Sequence, residues 1–246
     1  MNRRLKIDEG YGMPPSEPYY PPLPTYYRDV RFQVIYFKAG EKKVRQLIPE
    51  PMEPSPRGLC VAFSIDVPFS TSYGAFLETG VQEQVVFKGQ MGFYCSHVFL
   101  NNVPAIVSGR ERWGTPKMFA DIRVEKCDNL LVSTTVKDNV TVMTLTSRAE
   151  KTVTEKEMVS LFPSYRLKII PKADGPGPAI KQIVTAAPRD AVIQGMFKGS
   201  GTVALGSSVN TALSMLEPLR VLEAFHYVAS YTESYGEIVY DYLKES

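Results

Sequence analysis

Short runs of β-branched and aromatic residues, separated by turn residues, recur along most of this chain and constrain its fold more than any other feature. In the second half of residues 59–67, apolar and polar side chains alternate, as they do in a strand with one buried face. Residues 130–147 hold two runs rich in threonine and valine around Lys137-Asp138-Asn139, which predicts a hairpin. Further strands are predicted at residues 32–37, 85–87, 91–100, 222–230 and 237–243.

Helical patterns are fewer and shorter. Residues 42–47 and 209–216 favour short helices, each followed closely by a proline. Residues 152–155 match a capping box, which predicts a further short helix that ends at residues 162–163. Many strands, few helices and no alternation of strand and helix predict an α+β fold that is mainly antiparallel β.

The N-terminal part of the chain has a different composition. Residues 13–27 contain six prolines and four tyrosines, a pattern typical of an extended segment rather than a helix or central strand. We therefore divide the chain into an extended arm, residues 1–27, and a single domain, residues 28–246. The arm is either an exposed proline-rich ligand or a segment packed on its own domain or a neighbouring subunit, and the interleaved tyrosines favour packing.

Composition and charge exclude several classes of function. The chain has 246 residues, of which 44% are hydrophobic and 22% charged, as in ordinary globular proteins. The net charge of +2 predicts no binding to nucleic acid or to an anionic membrane, and no apolar run is long enough to span a membrane. No signal peptide is visible, and the odd, widely spaced Cys60, Cys95 and Cys127 indicate free thiols in a cytoplasmic protein.

Motifs for metal, nucleotide and serine-hydrolase chemistry are absent from the sequence. The two histidines, His97 and His226, lie far apart in apolar segments, which favours core or interface positions over metal ligation. We therefore expect neither a metal ion nor a cofactor. Lysine and carboxylate chemistry remains.

The segment Gly109–Met118 holds Lys117 directly behind a proline, and it resembles the GRE…GxPKK segment of acetoacetate decarboxylases. Five other motifs of that family occur in the same order and span most of the chain. They are the hxPEPL element at residues 47–51, the acidic ESG turn at 78–80, the NxPAI strand at 102–106, the LKIIP strand at 167–171 and the closing IYDYL at 238–243. The sequence is identified as a member of the acetoacetate decarboxylase-like superfamily, which implies that family's β-barrel or cone with a few short helices.

The resemblance implies Schiff-base catalysis on a small keto acid. Lys117 matches the family's nucleophile, which forms an imine with the substrate carbonyl, and Glu78 matches the glutamate that handles protons. The family's carboxylate-binding arginine matches Arg28 if one residue is inserted in the alignment, and Arg31 otherwise. The family's large homo-oligomers imply that this chain assembles with copies of itself.

Two positions depart from the family pattern. Met118 replaces a second lysine, which removes a cation that would disfavour the charged amine by roughly 3 kcal/mol at about 5 Å and a dielectric constant of about 20. Burial alone can lower a lysine pKa by about 3 to 5, and in an extended segment residues 117 and 118 point to opposite faces. We therefore expect an enclosed apolar pocket to activate Lys117, with Glu78 nearby.

The second departure is Ser64, which replaces a family glutamate in a region otherwise expected to bind substrate. Its loss leaves the type of reaction open. The leading hypothesis is decarboxylation of acetoacetate or a related β-keto acid, and the alternative with the same imine is a pyruvate aldolase-dehydratase. A non-catalytic binding homologue is the third hypothesis.

Overall fold

The computed structural model describes Lys6 and residues 10–244. Within them lie two α-helices, α1 (Glu41–Arg45) and α2 (Val103–Trp113), together with nineteen strands. In chain order the strands are β1 (Thr25–Lys38), β2 (Glu53–Pro54), β3 (Leu59–Val67), β4 (Phe69–Ser70), β5 (Phe76–Phe87), β6 (Gln90–Leu100), β7 (Lys117–Phe119), β8 (Asp121–Cys127), β9 (Leu130–Lys137), β10 (Val140–Arg148), β11 (Lys151–Thr152), β12 (Ser164–Pro171), β13 (Pro178–Thr185), β14 (Arg189–Gly199), β15 (Gly201–Leu205), β16 (Ser207–Ser208), β17 (Thr211–Ala212), β18 (Arg220–Glu233) and β19 (Glu237–Asp241). Across the described ranges, no helix has the length and apolar character needed to cross a membrane.

Thirteen of the described strands form one large sheet. Its order is β11-β14-β18-β1-β3-β5-β6-β12-β13-β19, with β2, β4 and β7 paired to β5, β1 and β6. A second sheet has the order β15-β10-β9-β8. Neighbouring strands are antiparallel except where β6 pairs with β7 and with β12. The predicted class, mainly antiparallel β with a few short helices, is confirmed.

The large sheet buries both of its faces, as the alternation along β1 shows. Val34 and Tyr36 belong to one apolar cluster, whereas Ile35 and Phe37 belong to another on the opposite face. The second cluster also contains Leu145 of β10, because the small sheet packs over that face. The other face of the large sheet is left to enclose a cavity.

A buried polar network joins the two sheets. Gln33 of β1 donates to the hydroxyl of Ser147 at 2.7 Å and accepts a hydrogen bond from Ser133 at 2.6 Å. Between β5 and β9, the hydroxyls of Thr79 and Thr135 are 2.7 Å apart. These hydrogen bonds satisfy polar groups that would otherwise be costly to bury, and they fix the register of the sheets.

Most of the strands were predictable. The predicted strands at residues 32–37, 59–67, 85–87, 91–100 and 222–230 lie within β1, β3, β5, β6 and β18, and the one at 237–243 largely coincides with β19. The predicted hairpin is the pair β9 and β10, and the predicted helix at 42–47 overlaps α1. All of these expectations are confirmed.

Four local predictions were wrong. The acidic turn expected at residues 78–80 lies within strand β5. Residues 102–106, expected to be a strand, begin α2. The capping box leads only to a 3-10 turn, Glu155–Glu157, because no side chain caps it and the backbone is extended on both sides. The expected helix at 209–216 consists of β17 followed by the 3-10 turn Leu213–Leu216.

Part of the N-terminal arm lies against α2. Tyr20 is buried, and its hydroxyl donates to a carboxylate oxygen of Glu111 at 2.5 Å. The guanidinium of Arg112 lies 4.3 Å from the centre of the Tyr20 ring and donates to the carbonyl of Pro21 at 2.5 Å. This part of the arm therefore packs on its own chain, on the helix that precedes Lys117.

Candidate active site

Helix α2 and the turn that follows it position Lys117. The side chain of Asn102 caps the helix by accepting a hydrogen bond from the backbone N–H of Ala105 at 2.9 Å. Gly114, with φ of 72°, ends the helix in the left-handed conformation that glycine favours. The chain then enters β7, where Lys117 pairs in parallel with Val98 of β6.

The side chain of Lys117 lies directly on the backbone of α2 at Gly109. A β-carbon at position 109 would be 2.5 Å from Cδ of Lys117 and 2.7 Å from its Cε. Both distances are well inside the about 3.5 to 4.0 Å of ordinary carbon contacts. Glycine at this position therefore leaves the space that the lysine occupies.

Lys117 projects into a cavity of about 570 Å³ on one face of the large sheet. Aromatic and aliphatic side chains form much of the wall, among them Phe32, Val34, Phe63, Phe76, Val98 and Trp113. The segment between β11 and β12 and the one between β13 and β14 also line the cavity. The lysine is thus held in largely apolar surroundings, as the sequence predicted.

Two carboxylates accompany the amine. Nζ of Lys117 lies 3.2 Å from a carboxylate oxygen of Glu78, and the two side chains are only 14% and 15% exposed. Glu233, at the end of β18, lines the same cavity and accepts a hydrogen bond from the hydroxyl of Tyr27 at 3.0 Å. Burial raises the pKa of Glu233 above its ordinary value, although Lys117 and the Tyr27 hydroxyl oppose that shift.

The electrostatics of Lys117 differ from the expectation that burial would lower its pKa. Burial is the largest single influence and does act in that direction, but the carboxylates of Glu78 and Glu233 outweigh it. The pKa of Lys117 is therefore raised, and pairing with Glu78 stabilises its ammonium form. A neutral nucleophile requires transfer of this proton to a neighbouring group.

The structure does not bring Arg28 or Arg31 into the cavity. Arg28 is exposed and donates to the carbonyl of Tyr27, and Arg31 is 61% exposed and paired with Asp66 at 2.7 Å. Among the described residues, the arginine that lines the cavity is Arg166 of β12. It therefore replaces Arg28 and Arg31 as the candidate for binding a substrate carboxylate.

Ser64 and Met118 also lie outside the cavity lining. Ser64 is buried on β3 between Phe63 and Ile65, which do line the cavity, so its side chain faces the small sheet. Met118 packs against the apolar cluster between the two sheets, opposite Lys117, as the extended backbone predicts. Neither departure from the family pattern therefore alters the wall of the cavity directly.

Sequence reasoning missed Arg166 and Glu233. Both residues are charged positions within strands, Arg166 in β12 and Glu233 at the last residue of β18. A charge inside an otherwise apolar strand such as residues 164–171 is the signal that points to an inward-facing functional group. The pattern alone does not say which sheet face encloses the cavity.

Other reactive groups are poorly suited to nucleophilic or metal chemistry here. Burial raises the pKa of the Cys95 thiol, which lines the cavity, to about 12, so the thiol is protonated at neutral pH. His97 and His226 contact the hydroxyls of Ser96 and Ser147 at 2.9 and 2.6 Å. In the described part of the chain, no group of three or more histidine, cysteine, aspartate or glutamate side chains is arranged to hold a metal ion.

Comparisons with known proteins agree with this arrangement. Residues 12–243 match the family model of acetoacetate decarboxylase (ADC). Acetoacetate decarboxylase 2 of Mesorhizobium japonicum is 35% identical over 239 residues, which are 96% of this chain and 91% of that protein. A solved structure of acetoacetate decarboxylase superposes with a TM-score of 0.91 and 25% identity, covering 97% of this chain and 100% of that chain.

A more distant structure shares the fold. The enduracididine biosynthesis enzyme MppR, complexed with pyruvate, superposes with a TM-score of 0.81 at 14% identity, covering 95% of this chain and 98% of that chain. The full-length match to the family model and the 35% identity to a relative establish membership on their own. The chain therefore belongs to the acetoacetate decarboxylase family and is an acetoacetate decarboxylase-like carbon–carbon lyase.

Proposed function

We propose that this protein decarboxylates acetoacetate or a related β-keto acid through an imine formed on Lys117. The observation that carries the proposal is the enclosed amine of Lys117, 3.2 Å from the carboxylate of Glu78. Imine formation needs an amine that can lose a proton and an acid/base group within hydrogen-bond reach of it. Both requirements are met by this pair.

The reaction begins with transfer of a proton from Lys117 to Glu78. The neutral amine attacks the substrate carbonyl, and the resulting carbinolamine loses water to give a protonated imine. The bond to the carboxylate carbon then breaks, its electron pair moves to the imine nitrogen, and carbon dioxide leaves. The remaining enamine takes a proton at carbon, and water hydrolyses the imine to release the ketone and regenerate the amine.

The apolar walls suit the decarboxylation step. A carboxylate that becomes carbon dioxide loses its charge, so a site with few groups to solvate it favours the transition state over the bound anion. Glu233 gives the cavity a second carboxyl group, and burial raises its pKa, so it takes up a proton more readily than an exposed glutamate does.

The runner-up function is a pyruvate aldolase-dehydratase that uses the same imine. Arg166 supports it, since a 2-oxo acid keeps its carboxylate throughout and an arginine in the cavity would hold it. The shared fold with MppR complexed with pyruvate is compatible with this chemistry. A binding homologue without catalysis is the third candidate.

Borohydride trapping separates these functions. The protein is incubated with acetoacetate or with pyruvate, reduced, and analysed by peptide mass spectrometry, while release of carbon dioxide is measured in parallel. We expect an adduct on Lys117 and carbon dioxide from acetoacetate, both abolished in Lys117→Met and both retained in Lys172→Arg, which alters an exposed lysine. An adduct with pyruvate but no carbon dioxide would favour the aldolase, and no adduct with either compound in a folded protein would refute both enzymes.

A further inference from the structure

Three buried polar atoms without a hydrogen-bond partner belong to residues that line the cavity. They are Oε1 of Gln82, Oγ of Ser164 and Nε of Arg166. Ser164 is only 2% exposed, so water cannot easily satisfy its hydroxyl. Buried polar groups are nearly always paired, and leaving them unpaired is costly, so a cluster of them in a cavity indicates a ligand that completes their hydrogen bonds.

The strand register places these residues at one level of the large sheet. Ser164 and Arg166 are two residues apart on β12, so both side chains point to the same face. Strand β12 runs parallel to β6, where Tyr165 pairs with Tyr94, and Cys95 of β6 lies directly opposite Gln82 of β5. Gln82 therefore lies on β5 and Arg166 on β12, with β6 between them, so at about 4.8 Å per strand their backbones are about 9.6 Å apart across the sheet.

Two backbone carbonyls hold the guanidinium of Arg166 in place without neutralising its charge. Its Nη1 donates to the backbone carbonyl of Ser164 at 3.1 Å and to that of Ala186 at 3.5 Å. Both acceptors are uncharged, and Nε remains free for a further acceptor. An arginine oriented by carbonyls, with an unused N–H beside a serine hydroxyl, matches the donor pattern that binds a carboxylate.

We propose that Arg166, Ser164 and Gln82 form a carboxylate-binding subsite, and that the substrate is a β-keto acid carrying a second carboxylate that is retained. This inference rests on the proposed decarboxylation through Lys117. The β-carboxylate leaves as carbon dioxide, a proton replaces it, and the distal carboxylate stays bound to Arg166. The amide of Gln82 contributes an N–H when rotated about its terminal bond.

Arg166 is poorly suited to the carboxylate that leaves. A cation paired with that group stabilises the bound anion more than the transition state, in which the charge moves away, and so slows the loss of carbon dioxide. Arg166 does not slow the loss of carbon dioxide if it pairs with a different carboxylate of the substrate, one that stays charged throughout the reaction. The charge therefore favours a retained group over the reacting one.

The spacing between Lys117 and the proposed carboxylate subsite fits such a substrate. Lys117 is level with Val98 of β6, whereas Gln82 is level with Cys95, three residues earlier on the same strand. At about 3.3 Å per residue, the two positions are about 10 Å apart along the sheet, a gap that the long side chains of Lys117 and Arg166 can shorten. The ketone and the retained carboxylate of the substrate are thus separated by a short carbon chain.

The test uses two ketones that differ in charge, 4-oxopentanoate and pentan-2-one. Each is incubated with the protein, trapped on Lys117 with borohydride, and quantified by mass spectrometry over a range of concentrations. We expect 4-oxopentanoate to be trapped at about 10- to 100-fold lower concentration, the range expected for a hydrogen-bonded contact with a charged partner. In Arg166→Met the ratio between the two ketones falls to about one, and Arg166→Lys restores part of the preference.

The substrate itself provides the second measurement. The parent β-keto acid of 4-oxopentanoate, 3-oxoadipate, should release carbon dioxide with a kcat/KM about 10- to 100-fold above that for acetoacetate, and Arg166→Met should remove this difference. Equal trapping of the two ketones in the wild type, or a preference that survives Arg166→Met, would overturn the subsite. Failure to trap either ketone would instead refute the imine mechanism, so the two failures are distinguishable.

Discussion

Replacement of Gly109 by alanine tests whether the backbone of α2 sets the position of the nucleophile. The added β-carbon would lie 2.5 Å from Cδ and 2.7 Å from Cε of Lys117. Since ordinary carbon contacts are about 3.5 to 4.0 Å, the lysine side chain must move by about 1 Å or more to relieve the overlap. It is the flexible partner in this contact, so it moves and the helix stays.

The magnitude follows from that displacement. A misplacement of about 1 Å in a reacting group costs about 100-fold in rate, so we expect kcat/KM for the keto acid to fall about 100-fold, or about 2.7 kcal/mol. Stability should not fall, since alanine is favoured over glycine inside a helix by about 1 kcal/mol. Steady-state kinetics, the rate of borohydride trapping and the melting temperature are measured together on Gly109→Ala.

The matched control is Gly175→Ala, because a β-carbon at position 175 would meet no atom within 4 Å. This variant should keep both activity and stability. If Gly109→Ala folds normally and retains the wild-type kcat/KM and trapping rate, then the close contact does not position Lys117 and the reasoning fails. A large loss of stability would also contradict it, since the helix would then have moved instead of the lysine.

Two further substitutions test the buried carboxylates. Burial raises the pKa of Glu83, whose carboxylate accepts a hydrogen bond from Ser96 at 2.6 Å, to about 8 from an ordinary 4.5. The folded state holds the proton of Glu83 more tightly than the unfolded state does. The contribution of this proton to the free energy of unfolding is therefore complete below about pH 4.5 and is lost as pH rises through about 8. At 1.36 kcal/mol per pH unit, the free energy of unfolding falls by roughly 5 kcal/mol over this range. Denaturant unfolding at several pH values should show this fall in the wild type and its disappearance in Glu83→Gln. An unchanged pH dependence in that variant would contradict the assignment to Glu83. Glu78→Gln removes the main carboxylate that raises the pKa of Lys117, so borohydride trapping of pentan-2-one should extend to lower pH, while kcat should fall about 100-fold or more because proton transfer is lost. A trapping profile that shifts to higher pH would refute the pairing of Lys117 with Glu78.

The sheet was largely predictable because its strands are chemically distinctive. Residues 32–37 and 59–67 are rich in β-branched and aromatic side chains, and both lie in the centre of the large sheet as parts of β1 and β3. The order of the strands was not predictable, because β6 and β12 meet in parallel after a long excursion of the chain through the second sheet. Pairing across such distances depends on tertiary packing that no local pattern encodes.

Helix α2 was missed because its valines and isoleucine favour a strand. Residues that argue for a helix were nonetheless present: Asn102 at the cap, Pro104 in the first turn and Gly114 after the last turn. The helix predicted from the capping box at residues 152–155 does not form, because Thr154 makes no side-chain cap and the segment that follows lines the cavity. Local capping patterns are thus overridden where tertiary packing demands extended backbone.

The placement of Lys117 in the cavity beside Glu78 agrees with the position that the family pattern assigned to each. Their electrostatics were not predictable, since the net pKa shift of Lys117 depends on Glu233, which is more than a hundred residues away in the chain. Arg166 was likewise invisible to motif matching because the LKIIP element begins one residue after it. Charges that complete a site from separate strands become recognisable only after the sheet is assembled.

Gly114 has a consequence for which substrates this fold can accept. A side chain at position 114 would overlap the backbone of Lys168, so the turn that leads into Lys117 rests directly on strand β12. Arg166 lies two residues earlier on the same strand. Regular strand, and no flexible loop, therefore connects Arg166 to the point where the turn contacts β12. The contact therefore fixes the distance between the backbone of Lys117 and that of Arg166, so we expect the proposed subsite to select keto acids by the length of their carbon chain.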